Sequence, residues 1–136
     1  METKEFAPGT VIFREGEKGD TAYLVASGSV EISCEQDGKT VVLGEIRAGN
    51  LFGEMALIGD LPRSASATAK GHCVVYQVPR NVFEIELNGS SALMRSLVLN
   101  LISHVRSLIA QLEAAGTVAK PDVVFHKPVD FKTYKT

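Results

Sequence analysis

The sequence predicts a mainly β protein with a helical C-terminal part, its β portion an antiparallel sandwich or barrel. Three observations lead there. Between residues 10 and 78, short runs of alternating apolar and polar residues are punctuated by turn residues roughly every eight to twelve positions. No helical segment longer than about one turn interrupts those runs. From Arg80 the apolar period changes to three to four residues and holds to about residue 115.

The elements follow in order. Phe6-Ala7-Pro8-Gly9 reads as a turn, and Thr10 to Arg14 as a strand with Val11 and Phe13 on one face. Glu15 to Asp20 is a polar, glycine-bearing loop. Thr21 to Ala26 is a second strand, turned at Ser27-Gly28 into a third, Ser29 to Glu35. In that third strand Val30, Ile32 and Cys34 alternate cleanly with Glu31, Ser33 and Glu35. Asp37-Gly38 is a strong hairpin signal, and Lys39 to Ile46 returns with Gly44 marking a bulge. Ala48-Gly49-Asn50 turns the chain toward Leu51-Phe52. After Gly71, residues His72 to Val78 form the last clear strand, ended by Pro79. Asn81 to Leu87 is a short helix closed by Asn88-Gly89. Ser90 or Ser91 caps a long helix from Ala92 to about Ala115, stopped by Gly116.

The stretch from Phe52 to Ser66 carries the chemistry. Gly53 lets the backbone turn or approach something closely. Glu54-Met55-Ala56-Leu57-Ile58 is about one helical turn, stopped by Gly59-Asp60. Pro62 removes a backbone donor and pushes Leu61 to an extended conformation. Arg63 opens a strand in which Ser64, Ser66, Thr68 and Lys70 alternate with Ala65, Ala67 and Ala69, small residues that leave room for something bulky. A short helix offers N–H groups to an anion. Arg63 adds a planar fork of donors suited to a phosphate. Ser64 adds a hydroxyl, and the Glu54 carboxylate suits a sugar hydroxyl. A ligand with a hydroxyl at one end and a phosphate at the other fits this set. Taken alone, a Glu and an Arg this far apart would be a weak surface ion pair.

The string Phe52-Gly53-Glu54-Met55-Ala56-Leu57-Ile58, followed by Pro62-Arg63-Ser64-Ala65-Ser66, closely resembles the phosphate-binding cassette of cyclic nucleotide-binding domains. That superfamily includes the catabolite activator family, protein kinase A regulatory subunits and cyclic nucleotide-gated channels. The resemblance covers roughly residues 6–115, with Phe6, Pro8, Gly9, Glu15, Gly16, Gly19, Asp20, Tyr23, Gly28 and Val30 at matching positions. It implies a jelly-roll-like antiparallel β-roll of about eight strands, followed by a short B helix and a long C helix. It implies binding roles for Gly53, Glu54, Met55, Ala56, Arg63, Ser64 and Ala65: Glu54 on the ribose 2′-OH, Arg63 on the cyclic phosphate, and backbone N–H groups completing the cradle. Ser64 leans the ligand toward cAMP, with cGMP the other candidate. The C helix is expected to cover the base, with Ser107 and Leu108 as candidate contacts. The family also usually carries a helical segment before the first strand; this sequence starts almost at that strand, which puts the usual relay in doubt. The chain reads either as a self-standing receptor or as a piece of a larger protein.

Residues 6–115 are therefore expected to form a cyclic nucleotide-binding domain and 116–136 an irregular tail broken by Pro121 and Pro128. On the long helix, Met94, Val98, Leu101, Val105, Leu108 and Leu112 recur at helical spacing, and Leu93, Leu97, Ile102 and Ile109 widen the stripe. That exceeds what one sheet face needs, so a second partner is expected, such as a twin helix in a homodimer. The expected function is a regulatory sensor that couples cyclic nucleotide binding to C-helix movement and an effector domain or protein. The competing reading is an interaction module that dimerises through this helix and keeps only a vestigial nucleotide site.

Composition excludes several classes. The chain has 136 residues, 45% apolar and 22% charged, ordinary for one globular domain with its own core. A net charge of −2 implies no general affinity for nucleic acid. The resemblance adds that bacterial transcription factors of the family follow the C helix with a helix-turn-helix domain; some twenty irregular residues follow it here, so direct DNA binding is not expected. Cys34 and Cys73 lack metal-ligand spacing and read as reduced thiols. His72, His104 and His126 are isolated, and no Ser/His/Asp set is legible, so neither a metal nor an enzyme is expected. No cofactor is implied beyond the ligand itself. Without a signal peptide or an uninterrupted apolar span, the expectation is a cytoplasmic protein with no membrane partner.

Overall fold

In the structure, a computed structural model, residues 2–59 and 61–115 are described. The expected tail 116–136 lies outside them, as does Asp60. The strands are β1 (Glu2–Phe6), β2 (Val11–Phe13), β3 (Thr21–Ser27), β4 (Ser29–Gln36), β5 (Lys39–Arg47), β6 (Leu51–Phe52), β7 (Ser66–Ala69) and β8 (Cys73–Pro79). A four-residue 3₁₀ helix, Glu54–Leu57, lies between β6 and β7. Helices α1 (Arg80–Asn88) and α2 (Ala92–Ala114) follow the last strand.

The strands form two four-stranded antiparallel sheets, ordered β1-β8-β3-β6 and β2-β7-β4-β5. Their inner faces meet in one core built on Phe6, Phe13, Val25, Val30, Ile32, Phe52 and Val75. The alternation in β4 is as expected, with Val30, Ile32 and Cys34 buried. Ala65, Ala67 and Ala69 are buried in the same cluster as the three phenylalanines, so the bulk they make room for includes the protein's own aromatic core. Asp37 and Gly38 both adopt positive φ, 52° and 76°, as a two-residue hairpin requires. The bulge foreseen at Gly44 is present: Ile32 pairs with Gly44 and Ser33 with Val42, leaving Leu43 over.

Three details depart from the sequence reading. β1 was not foreseen, because Glu2-Thr3-Lys4-Glu5 shows no apolar alternation. It is an edge strand on β8, exposed along its length and anchored by buried Phe6, which closes the strand instead of opening a turn. Val11 and Phe13 do not share a face. The β2–β7 register shifts between them, so Phe13 is buried while Val11 is exposed. The wide apolar stripe of α2 is also largely uncovered. Val98, Ile102 and Ile109 are half-buried, but Leu93 and Leu108 are 77% and 58% exposed.

The two helices are joined at Ser90-Ser91. Ser90 closes α1 by donating from its hydroxyl to Leu87 O, and Ser91 caps α2 by accepting from Met94 N–H at 3.2 Å. By length and composition the segment Ala92–Gln111, with mean hydropathy 1.2, would reach across a bilayer. Its two arginines are directed elsewhere: Arg95 donates to Asn88 O and Arg106 to Ile58 O.

One surface pair supplies a pH test. Lys70 Nζ lies 3.0 Å from Glu45 Oε2. Its hydrogen bond, with help from Ser29, holds the Glu45 carboxyl below its ordinary 4.5. A carboxylate depressed by folding contributes stability above its unfolded value and loses it as pH falls through the folded one. Glu45→Gln is expected to lower the urea midpoint slightly at pH 7 and not at pH 3. The effect is small because the pair is exposed to solvent.

Candidate functional site

The site begins where β6 runs out. Gly53 has φ +69°, a left-handed turn that a side chain would resist, and it aims the following helix back across the sheet edge. Ala56 N–H closes on Gly53 O at 3.2 Å, and Ile58 N–H closes on Met55 O at the same distance. The N–H groups of Glu54 and Met55 therefore precede the first closed turn. Met55 and Ala56 are buried, and Glu54 is half-buried.

Arg63 meets this turn from the far side of the loop. Its side chain is 4% exposed, the only buried charged side chain among the described residues. Nη1 donates to Gly53 O at 3.1 Å and Nη2 to Thr21 O at 2.7 Å. The guanidinium carbon lies 4.0 Å from the centre of the Phe13 ring. Phe13, Phe52 and Tyr23 form a trio beneath it, with Tyr23 stacked on Phe52 at 5.1 Å. Burial keeps the Tyr23 phenol above its ordinary 10.0, opposed by the nearby Arg63 charge. None of the ion pairs among the described residues involves Arg63. Its backbone is equally fixed: Arg63 N–H donates to Glu17 O at 2.8 Å, and Gly16 N–H donates to Arg63 O at 2.7 Å.

Two glycines make that placement possible. A Cβ on Gly19 would lie 2.6 Å from Arg63 Nη2, and one on Gly53 would lie 2.6 Å from Nη1. The guanidinium is flanked by backbone on both sides, in a slot a methyl group would close. In sequence Gly19 reads as a turn residue at a position that matches the resemblance; its contact with Arg63 spans 44 positions and has no local signature. The same holds for Thr21, which contributes only its carbonyl.

Gly53, Glu54, Met55, Ala56 and Arg63 are thus brought together, with Ser64 half-buried and Ala65 buried next in the chain. Ser107 and Leu108 are not brought to this loop; both are exposed on α2. The part of α2 that faces the loop is Arg106, Ile109 and Ala110, which line a hollow of about 260 Å³ with Met55, Ile58, Gly59 and Leu61. Each residue turns a helix by about 100°, so positions 106, 109 and 110 share a face while 107 and 108 point away. The sequence stripe could not fix which face of α2 docks. A second open cleft, about 490 Å³, is lined by Lys18, Gly19, Asp20, Leu61 and Arg80. Among the described residues no group of His, Cys, Asp and Glu could hold a metal ion.

The architecture is thus a two-sheet β-roll carrying a short helix and a glycine-flanked arginine, followed by two C-terminal helices. The chain belongs to the cyclic nucleotide-binding domain family, whose model matches residues 3–89. It is 42% identical over 77 residues to a cAMP-dependent protein kinase regulatory subunit of Yarrowia lipolytica, covering 57% of this chain and 20% of that protein. The half-site-occupied form of the EAL enzyme Bd1971 superposes with a TM-score of 0.75 at 28% identity, covering 78% of this chain and 96% of that one. The regulatory domain of Toxoplasma gondii protein kinase A, solved with cAMP, superposes with a TM-score of 0.60 at 31% identity, covering 75% of this chain and 38% of that one. The chain spans about a fifth of the length of the Yarrowia regulatory subunit.

Proposed function

We propose that this chain is a cyclic nucleotide sensor, not an enzyme, that takes cAMP in preference to cGMP and passes its occupancy to α2 and to an effector domain or protein. One observation carries the reading most directly. Arg63 is a buried cation held by two carbonyls and an aromatic face, without a carboxylate partner among the described residues. A buried charge of this kind is costly unless an opposite charge meets it. A phosphate at the mouth of the Glu54–Leu57 helix would be that charge, with Met55 and Ala56 beside it and the Ser64 and Ala65 backbone completing the cradle. Family membership and the cAMP-bound Toxoplasma domain support the same ligand class. Isothermal titration with cAMP and with cGMP tests it. Saturable binding with cAMP the tighter ligand is expected, and heat from neither nucleotide would defeat the proposal.

Glu54 has the ribose role in this reading. Glu54→Ala is expected to weaken cAMP binding less than loss of Arg63, since a hydrogen bond to a charged group contributes about 1.5–3 kcal/mol. The mutant should also lose the preference for cAMP over its 2′-deoxy analogue. If both proteins discriminate the two ligands equally, Glu54 is not on the ribose.

A second reading is carried by α2. Its exposed Met94, Leu97, Leu101 and Leu108 form a seam of the kind that pairs with a second copy. Sedimentation with and without cAMP separates a nucleotide-gated dimer from a constitutive one.

A further inference from the structure

Phe13 ends a three-residue strand, β2, in which alternation alone would keep it on the face of Val11. The β2–β7 register shifts between the two, and the shift turns Phe13 into the core while Val11 stays at the surface. Opposite it on β7 stands Ala67, small enough to leave a ring its room. Tyr23 and Phe52 flank it, with ring centres 6.1 and 5.9 Å away. Gly53 closes on its edge: a Cβ there would lie 3.3 Å from Phe13 Cε2. The ring is 6% exposed, so water does not compete for its face. That face receives the Arg63 guanidinium, whose central carbon lies 4.0 Å from the ring centre. A carbon approaching in the ring plane would meet the ring hydrogens before coming so near. The cation therefore lies over the negative face of the quadrupole.

We propose that Phe13 is a positioning residue for phosphate recognition: its π face keeps Arg63 seated in the Gly19–Gly53 slot of the empty domain, so the cation is in place before the anion arrives. The inference rests on the nucleotide reading above and deepens it. The carbonyls of Gly53 and Thr21 direct the two Nη groups but carry no net charge. The ring adds an electrostatic hold that an alkyl side chain of similar volume lacks, and the hold is strongest where water is excluded. An arginine released from the slot regains many rotamers. A ligand that binds only the seated form then binds more weakly in proportion to the unseated fraction. Weakening the ring's charge distribution therefore weakens nucleotide binding while the packing stays the same. Phe13 acts through Arg63 and not on the ligand. The register shift in β2 is, in this account, what delivers the ring to the guanidinium.

Phe13 is also part of the core, so truncating it confounds packing with electrostatics. The test instead replaces Phe13 in the full chain with mono-, di- and trifluorinated phenylalanine, which keep the ring's shape and drain its face of negative charge stepwise. Affinity for cAMP, by titration calorimetry, is expected to fall at each step, reaching about three- to tenfold for the trifluorinated ring. The urea midpoint should stay nearly constant along the series. A ligand-free readout accompanies it. With isotope-labelled arginine, the Arg63 Nε–H proton should show the upfield ring-current shift of a group over an aromatic face. That shift should shrink along the series and return on saturation with cAMP. Equal affinities across the series on a parent that binds cAMP overturn the role of Phe13 and leave the nucleotide reading intact. So does a loss of affinity matched by a falling urea midpoint with an unchanged Arg63 shift, since that is general loosening. No cAMP binding in the parent overturns the nucleotide reading and the positioning role with it. An Arg63 shift that is then the same across the series overturns the ring's hold on the arginine as well.

Discussion

Arg63→Ala is expected to lower cAMP affinity by about 2–5 kcal/mol, the usual scale for truncating one side of a buried charge pair. At about 1.4 kcal/mol per decade that is roughly thirtyfold to several-thousandfold, enough to remove binding from a micromolar titration. The loss should not be unfolding in disguise. Removing the guanidinium leaves Thr21 O and Gly53 O without its donors, a cost of about 1–3 kcal/mol for a buried polar group. The same change removes a buried cation that has no anionic partner among the described residues, which offsets part of that cost. The urea midpoint should therefore move far less than the affinity. Arg63→Lys separates charge from geometry. It keeps one positive charge but cannot reach Thr21 O, Gly53 O and a phosphate with one planar fork, so it should bind with intermediate affinity. Titration calorimetry and urea melts on the three proteins decide the matter. An alanine variant that binds like the parent would remove Arg63 from the site.

Much of this was legible in the sequence because the signals were local. The clean period of β4, the Asp37-Gly38 turn and the alanine alternation of β7 each follow from residues adjacent in the chain. The loop from Gly53 to Ala65 was legible for the same reason, since its glycine, helix, proline and arginine lie within one short stretch. What escaped notice depends on contacts between distant residues, or on the absence of a pattern. β1 lies at an edge with its polar side chains in water, so it needs no alternation. The role of Gly19 is to leave room for an arginine 44 positions away, and a turn glycine looks the same without that neighbour. Arg80 and Arg106 carry no local signal of the contacts they make, with Ala56 O and Ile58 O. Their targets are carbonyls, which carry no residue identity and leave no mark in a sequence. The docking face of α2 was ambiguous because its apolar stripe is wider than the domain covers, and only tertiary contact selects Ile109 over Leu108.

Gly28→Ala should be the most destabilising of the simple glycine substitutions, costing about 3 kcal/mol or more of folding stability. Two effects add there. Gly28 turns β3 into β4 at φ +79°, where a residue with a Cβ is strained by about 1–2 kcal/mol. An added Cβ would also lie 2.3 Å from His72 O and 3.0 Å from Cys73 Cα. These are backbone atoms at the start of β8, which pairs with β1 on one side and β3 on the other, so they have little freedom to retreat. Forcing extra volume into packed structure costs about a further 1–3 kcal/mol. Gly38→Ala is the matched control. It has nearly the same dihedral, φ +76°, at the Asp37-Gly38 hairpin, but no heavy atom within 4 Å of the added Cβ. It should show the conformational cost alone. The difference between the two urea-derived stabilities then measures the close approach of the β3–β4 turn to β8. That contact brings the end of the β1–β8 pair carrying Phe6 and Cys73 against the turn that leads into the buried Val30 and Ile32. Equal losses in the two variants would mean that this approach is relieved at no cost, and that the two sheets are joined less tightly there than their geometry implies.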